Sequence, residues 1–135
     1  MSAFEVAPES EPKTDSNGDT YWLLPNGKIH REDGPAIECV DGTKAWYKND
    51  VRHRVDGPAV EWSSGTRFWY QNGGRHREDG PAVVRFDGTK IWYKNDKFHR
   101  EDGPAIERSD GDKAWFINGH ELTEEQFNRR VNVSF

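Results

Sequence analysis

The sequence predicts an all-β protein: an elongated antiparallel sheet, or solenoid, of stacked β-hairpins that repeat every 23 residues, closed by a short C-terminal α-helix. Three observations carry this. Histidines stand at His30, His53, His76 and His99, each 23 residues after the last, and six further columns keep step with them. Paired turn residues, mostly Asp-Gly and Asn-Gly, bracket short β-prone runs, the signature of tight hairpins. After the last copy, a single helix-start signature replaces the pattern.

Arg31, Arg54, Arg77 and Arg100 follow the histidines, and Asp33, Asp56, Asp79 and Asp102 come next. Each aspartate leads into Gly-Pro-Ala, at 34–36, 57–59, 80–82 and 103–105. Trp46, Trp69, Trp92 and Trp115 keep the period, trailed by Tyr47, Tyr70, Tyr93 and Phe116, then by Asn49, Asn72, Asn95 and Asn118. Chance does not hold seven columns in register. A partial copy precedes them: Trp22 sits four residues after Gly18, as Trp46 does after Gly42. Asn26-Gly27 then falls one residue late, which marks an insertion within Leu23-Leu24-Pro25.

Within a copy, proline cannot donate to a ladder and so belongs at a strand's start. The strands of the first full copy are then Ala36–Val40, Thr43–Lys48 and Val51–Arg54. A two-residue turn at Asp41-Gly42 sets Val40 opposite Thr43 and Ile37 opposite Trp46. Alternation places Ile37, Cys39, Lys44 and Trp46 on one face, and Ala36, Glu38, Ala45 and Tyr47 on the other. The expected core is Ile37, Val60, Val83 and Ile106 packed against a row of four indoles. A cationic column of Lys44, Arg67, Lys90 and Lys113 runs beside it, and the tyrosine column lies half-exposed opposite.

No single hairpin can bury its apolar face alone, so stacked neighbours must supply the core. Open ends of such a stack need caps. At the C-terminus, Thr123 reads as an N-cap, Gln126 completes a capping box, and Leu122 with Phe127 forms a hydrophobic staple. A helix over Glu124–Val131 follows, lying on the last hairpin, and the divergent first copy closes the other end. The chain thus divides into a flexible N-terminal tail at residues 1–16, rich in Glu, Pro and Ser, a repeat domain at 17–121, and a capping helix and tail at 122–135.

Leu, Ile, Val and Phe together make only 24 of 135 residues, and 32% are charged, a balance that suits a disordered chain. Six tryptophans and four tyrosines offset it, since each buried aromatic removes roughly 150–250 Å² from water. The net charge of −5 gives no reason to expect nucleic acid or an anionic membrane as partner. The single cysteine, Cys39, excludes an internal disulfide and fits a reducing compartment. Met1–Ser16 has no secretory signal, and no run nears the ~20 apolar residues of a membrane helix. A cytoplasmic location is expected.

The segment Trp92-Tyr93-Lys94-Asn95-Asp96-Lys97-Phe98-His99-Arg100-Glu101-Asp102-Gly103-Pro104 resembles a MORN-type repeat. That family shares the aromatic strand, the Asn-Gly turn, the histidine three residues past it and the closing glycine. The resemblance spans about residues 17–121, with Arg after the histidine where the family usually has Gly, as in variant repeats of bacterial and viral proteins. It implies an elongated sheet of stacked hairpins used for protein–protein contact. Some bacterial members are described as antitoxins.

Histidine with aspartate three residues on invites a metal site or a catalytic dyad. With two or more strands per copy at ~4.8 Å, equivalent histidines lie at least ~9.6 Å apart. Ligands of one zinc sit within about 2.0–2.3 Å of the ion, so one column cannot share it. Ser63, Ser64, Ser109 and Cys39 are not repeated beside the histidines, so no nucleophile recurs with them. An enzyme has one site, whereas this motif appears four times. No catalysis, cofactor or metal is expected. His and Asp instead hydrogen-bond to turn backbone, and Arg pairs with Asp or Glu of the next copy.

Trp62 and Phe86 are aromatics that other copies do not repeat, and unrepeated aromatics on a regular scaffold point to a partner site. With Tyr47, Tyr70, Tyr93, Lys44, Arg67 and Lys90, they form the candidate binding set. The expected function is non-catalytic binding of another protein, with inhibition, as an antitoxin or a viral counter-defence protein, in keeping with the resemblance. A viral origin would place it in the host cytoplasm, and exposed sheet edges would allow homo-oligomers. The alternative is a small anionic ligand or nucleotide held by the basic and tryptophan columns.

Overall fold

The computed structural model describes residues 9–132. A first hairpin pairs β1 (Glu11–Thr14) with β2 (Thr20–Leu23). Copy one supplies β3 (Ile37–Glu38), β4 (Lys44–Ala45), β5 (Tyr47–Lys48) and β6 (Val51–Arg52). Copy two supplies β7 (Val60–Glu61), β8 (Arg67–Phe68), β9 (Tyr70–Gln71) and β10 (Gly74–Arg75). Copy three supplies β11 (Val83–Val84), β12 (Lys90–Ile91), β13 (Tyr93–Lys94) and β14 (Lys97–Phe98). Copy four has β15 (Ile106–Glu107), β16 (Lys113–Ile117) and β17 (His120–Leu122), and α1 (Glu124–Asn132) follows.

One antiparallel eleven-stranded sheet runs β1-β2-β3-β4-β7-β8-β11-β12-β15-β16-β17, with no closure into a barrel. From it, β5-β6, β9-β10 and β13-β14 project as separate two-stranded hairpins. The tryptophan of each copy is the switch between the two pairings. Trp46 donates its N–H to the Ala59 carbonyl of the next copy (2.7 Å) and accepts from His53 N–H of its own hairpin (3.0 Å). Trp69 and Trp92 repeat both bonds. In copy four, β16 passes through Trp115 unbroken.

The two turn types resolve differently from one another. Asn49-Asp50, Asn72-Gly73, Asn95-Asp96 and Asn118-Gly119 have positive φ at both positions, as a two-residue type I′ turn requires. The Asp-Gly turns are instead three-residue loops. Cys39 N–H bonds to the Thr43 carbonyl at 2.9 Å, Gly42 N–H to the Cys39 carbonyl at 3.0 Å, and only Gly42, at φ 96°, is left-handed in the loop. That is a type I turn followed by a glycine bulge. Asp41 Oδ1 accepts the Thr43 N–H at 2.8 Å and fixes it.

This slips the expected register by one residue, which exchanges faces. Ile37 stands opposite Ala45, not Trp46. One apolar row crosses the sheet through Tyr21, Ile37, Ala45, Val60 and Phe68, then Val83, Ile91, Ile106 and Ala114. The tyrosine column shares its face, and the buried cluster gathers Val83, Ile91, Tyr93 and Ile106, with Phe68, Phe98 and Phe116 against it. The tyrosine side is therefore the core side. The indoles are half-buried and form no continuous core row, although Trp69 packs against that cluster. Phe98 lies 4.8 Å from the Tyr93 ring and 4.9 Å from the Phe116 ring, within the usual range for aromatic pairs.

Both ends carry closing structure. Within the segment assigned to a tail on composition, Glu11–Thr14 pairs with β2 as an edge strand, exposed along its length. At the other end, Thr123 N–H bonds to Gln126 Oε1 (2.9 Å) and Gln126 N–H to Thr123 Oγ1 (3.0 Å), the reciprocal capping box. The helix then runs to Asn132, one residue beyond the expected end, and buries Phe127 against the last strands.

Candidate functional site

The repeated residues build one bracket four times over. Arg31, Arg54, Arg77 and Arg100 lay their guanidinium groups on Trp22, Trp46, Trp69 and Trp92, 3.8 to 4.0 Å from the ring centroids. Cation–π contact of this kind strengthens as the pair is desolvated. Each arginine also bonds through Nε to the aspartate two residues on, and through Nη1 to a proline carbonyl four residues on. Arg54 and Arg100 add Glu61 and Glu107, at 3.0 and 2.8 Å. Asp33, Asp56, Asp79 and Asp102 thus pair with the arginine of their own loop rather than with turn backbone.

The glycine of Asp-Gly-Pro is explained by this bracket rather than by its backbone angle. None of Gly34, Gly57, Gly80 and Gly103 has positive φ. A Cβ at any of them would stand 2.9 to 3.0 Å from the guanidinium carbon. Ala36, Ala59, Ala82 and Ala105, fully buried, follow each loop.

The histidines tie copy to copy. Nδ1 of His30, His53, His76 and His99 accepts the backbone N–H of Asn49, Asn72, Asn95 and Asn118, at 2.9 to 3.1 Å. The left-handed asparagine of one turn is thereby held by the copy before it. Among the described residues, no group of three or more His, Cys, Asp or Glu is placed to hold a metal ion. Three similar open grooves of about 560 to 620 Å³ recur between adjacent brackets, touching Trp46, Trp69 and Trp92, and a smaller one of about 460 Å³ lies between the first bracket, with Trp22, and Glu9–Ser10.

The expected cationic column is interleaved with acids. Lys44 stands between Glu38 and Glu61, Arg67 opposite Glu61, and Lys90 and Lys113 on either side of Glu107. Opposite charges across neighbouring strands attract, so this face presents alternating sign rather than a positive strip. Trp46, Trp69 and Trp92 share that face, each under its own arginine.

On the core side, Tyr47, Tyr70 and Tyr93 alternate with arginines. The Arg52 guanidinium carbon lies 6.0 Å from the Tyr47 ring centroid and 5.3 Å from that of Tyr70. Arg75 lies over Tyr93 at 4.3 Å and donates to its hydroxyl at 3.0 Å. Burial pushes the Tyr93 hydroxyl pKa up. Arg75 Nε also donates to Asp96 at 2.7 Å, which holds that carboxyl below its ordinary range and raises the arginine.

No protein-family model and no curated protein matches this chain.

Trp62 and Phe86, the unrepeated aromatics, are 49% and 74% exposed. Trp62 takes the position of Cys39, facing the core side at its rim, and Phe86 heads the next three-residue loop. The two loops are linked, because Phe86 N–H donates to Thr66 Oγ1 at 3.1 Å. Among the described residues, Val40, Val51 and Val55 are the other exposed large apolar side chains, and all five fall between residues 40 and 86. The sequence pointed to the two aromatics and not to the valines, which looked ordinary one at a time. Val55 stands where other loops carry Glu32, Glu78 and Glu101, a departure visible in the columns. No helix among the described residues is long and apolar enough to cross a membrane.

Proposed function

We propose that this protein is a non-catalytic binding module that engages another protein through its middle copies. One observation carries the reading: every strongly exposed large apolar side chain among the described residues lies between Val40 and Phe86. Interfaces draw much of their binding energy from a few aromatic and arginine anchors. Trp62 and Phe86 offer such anchors, with exposed Arg85 between them in sequence. The repeated His, Arg, Asp and Trp columns are consumed in holding the stack together, and three similar grooves suit a scaffold better than a reaction centre.

The resemblance to MORN-type repeats agrees with protein contact, and inhibition of the bound partner, as by an antitoxin or a viral counter-defence protein, is the role it favours. A reducing cytoplasm suits the lone Cys39. The small-anion alternative has less support, since Lys44, Arg67 and Lys90 face glutamates across the sheet and the indoles carry arginines. A photo-cross-linking residue placed at Phe86 and, as control, at Glu125 tests the proposal in native cells. One protein cross-linked in near-stoichiometric amount from position 86 and absent from 125 supports it. Adducts equal at both positions, or none at 86, would sink it.

A further inference from the structure

Comparing the copies with one another exposes one missing carboxylate. The second residue of the Asn turns is Asp50, Gly73, Asp96 and Gly119 in successive copies. Across the copy boundary, each faces a residue of the preceding hairpin: Ile29, Arg52, Arg75 and Phe98. A backbone bond repeats in all four, with the turn N–H donating to that residue's carbonyl at 2.8 to 3.1 Å. Where the turn residue is aspartate, its carboxylate also takes the neighbour's N–H: Ile29 to Asp50 at 2.6 Å, Arg75 to Asp96 at 3.2 Å. At Arg75 the same oxygen receives Nε as well, at 2.7 Å.

Arg52 faces Gly73 in the corresponding position. Its carbonyl accepts the Gly73 N–H at 3.1 Å, as Arg75 accepts that of Asp96, so the same backbone bond joins the copies there. Its side chain is held by Tyr47 and Tyr70, with Nε donating to the Tyr47 hydroxyl at 3.2 Å. The arginine is exposed, and no carboxylate among the described residues pairs with it. The Phe98–Gly119 pair lacks the acid too, yet phenylalanine has no charge to satisfy.

We infer that Arg52, Tyr47, Tyr70 and the space above Gly73 form a carboxylate-binding site, filled by an Asp or Glu side chain of the protein partner. The occupant pairs with the terminal guanidinium nitrogens, since Nε, which Asp96 takes on Arg75, is here given to the Tyr47 hydroxyl. A guanidinium flanked by two tyrosines is oriented before binding, which lowers the ordering cost of the contact. The site opens on the core side of the sheet, the face to which Trp62 also belongs, at the junction of copies one and two. This assignment rests on the protein-partner reading above and gives that partner an acidic residue at the contact.

The test uses the full chain and three probes: acetyl-Gly-Glu-Gly-amide, its Gln counterpart, and acetate, each titrated while the arginine Nε–H signals are followed by NMR. The Glu peptide is expected to shift Arg52 saturably, with millimolar affinity, while Arg75, already paired, stays unmoved. Arg52→Gln is expected to bind roughly tenfold more weakly or not at all. Gly73→Asp is expected to block the site from within, since Asp50 and Asp96 adopt the same left-handed turn at φ 67° and 66°, with the Val51 side chain, whose Cγ1 would lie 3.2 Å from the new Cβ, turning aside. An equal response to the Gln peptide, or undiminished binding by Gly73→Asp, would overturn the inference. Acetate binding as tightly as the Glu peptide would assign the site to a free small carboxylate and overturn the partner side chain. If the titration fails while cross-linking at Phe86 succeeds, only the carboxylate site is lost. If cross-linking fails, the wider reading falls independently.

Discussion

Gly57 is the position where the bracket is most open to measurement. A Cβ there stands 2.9 Å from the Arg54 guanidinium carbon and 3.1 Å from Nε and Nη1. Gly57→Ala therefore drives the guanidinium off the Trp46 ring, where it now sits 3.8 Å from the centroid, and away from the Pro58 carbonyl at 3.0 Å. The stack contributes about 0.5–2 kcal/mol. A charge-assisted bond to a carbonyl adds about 1.5 kcal/mol, taken at the low end because Arg54 is partly exposed. Alanine recovers about 0.5 kcal/mol by restricting the unfolded chain, since Gly57 has no positive φ to lose. The net expectation is a loss of about 2 kcal/mol. In an Arg54→Ala background the clash is gone, and Gly57→Ala should stabilise by about 0.5 kcal/mol. Urea unfolding of the four proteins closes the double-mutant cycle. Additive effects, or a neutral Gly57→Ala in the parent, would refute the bracket as the reason for the glycine.

Other outcomes follow from the same contacts. Asp96 is held below the ordinary carboxylate range by Arg75, Asp41 and Asp87 by the Thr43 and Thr89 amides, and Glu32 by Lys48 and then His30. Unfolded carboxylates titrate near about 4, so below that the unfolded chain binds more protons. Stability is then fully present above about pH 5 and lost as pH falls through the lower folded values, which urea midpoints between pH 7 and about pH 3 will show. His76→Leu leaves the Asn95 N–H without its acceptor in a part-buried site. It should cost about 1–3 kcal/mol and speed exchange of that amide. Partial burial first, then Asp19, Asp41 and Asp15, push the Cys39 thiol pKa up. Iodoacetamide at neutral pH should label folded protein more slowly than unfolded, and equal rates would contradict that environment.

The residues differ in how much of this they disclosed. The 23-residue columns yield the stacked sheet directly, because each column is one environment met four times. The Asn turns at 49, 72, 95 and 118 and the Thr123–Gln126 box are local motifs whose chemistry is complete within a few residues, and both form as read, whereas Asn26-Gly27 closes a three-residue loop with only Gly27 left-handed. The Asp-Gly turns were ambiguous, since the same pair serves a two-residue turn and a glycine bulge. Only the packing of Ala45 between Ile37 and Val60 decides between them. That one-residue difference exchanged the faces, bringing Tyr93 into the buried cluster and leaving the indoles half-buried. The arginine–tryptophan stack was latent in a constant eight-residue spacing, and it survives the insertion before Arg31, nine residues after Trp22. Composition alone hid β1, because Glu-Pro-Lys-Thr reads as loop until β2 offers it an edge. The alternation of Asp and Gly at 50, 73, 96 and 119 was legible but meaningless until the fold set Arg52 beside Gly73.

The division of labour between repeated and unrepeated residues is tested most directly by Trp62→Ser/Phe86→Ser, with partner retention from native cells and urea midpoint measured on the same preparation. Phe86 is largely in solvent, Trp62 is half-buried, and neither belongs to the buried cluster. The double variant is expected to stay cooperatively folded, at a cost of about 1–3 kcal/mol for the half-buried indole, and to lose the bound protein. Full retention of that protein by a stably folded variant would contradict it.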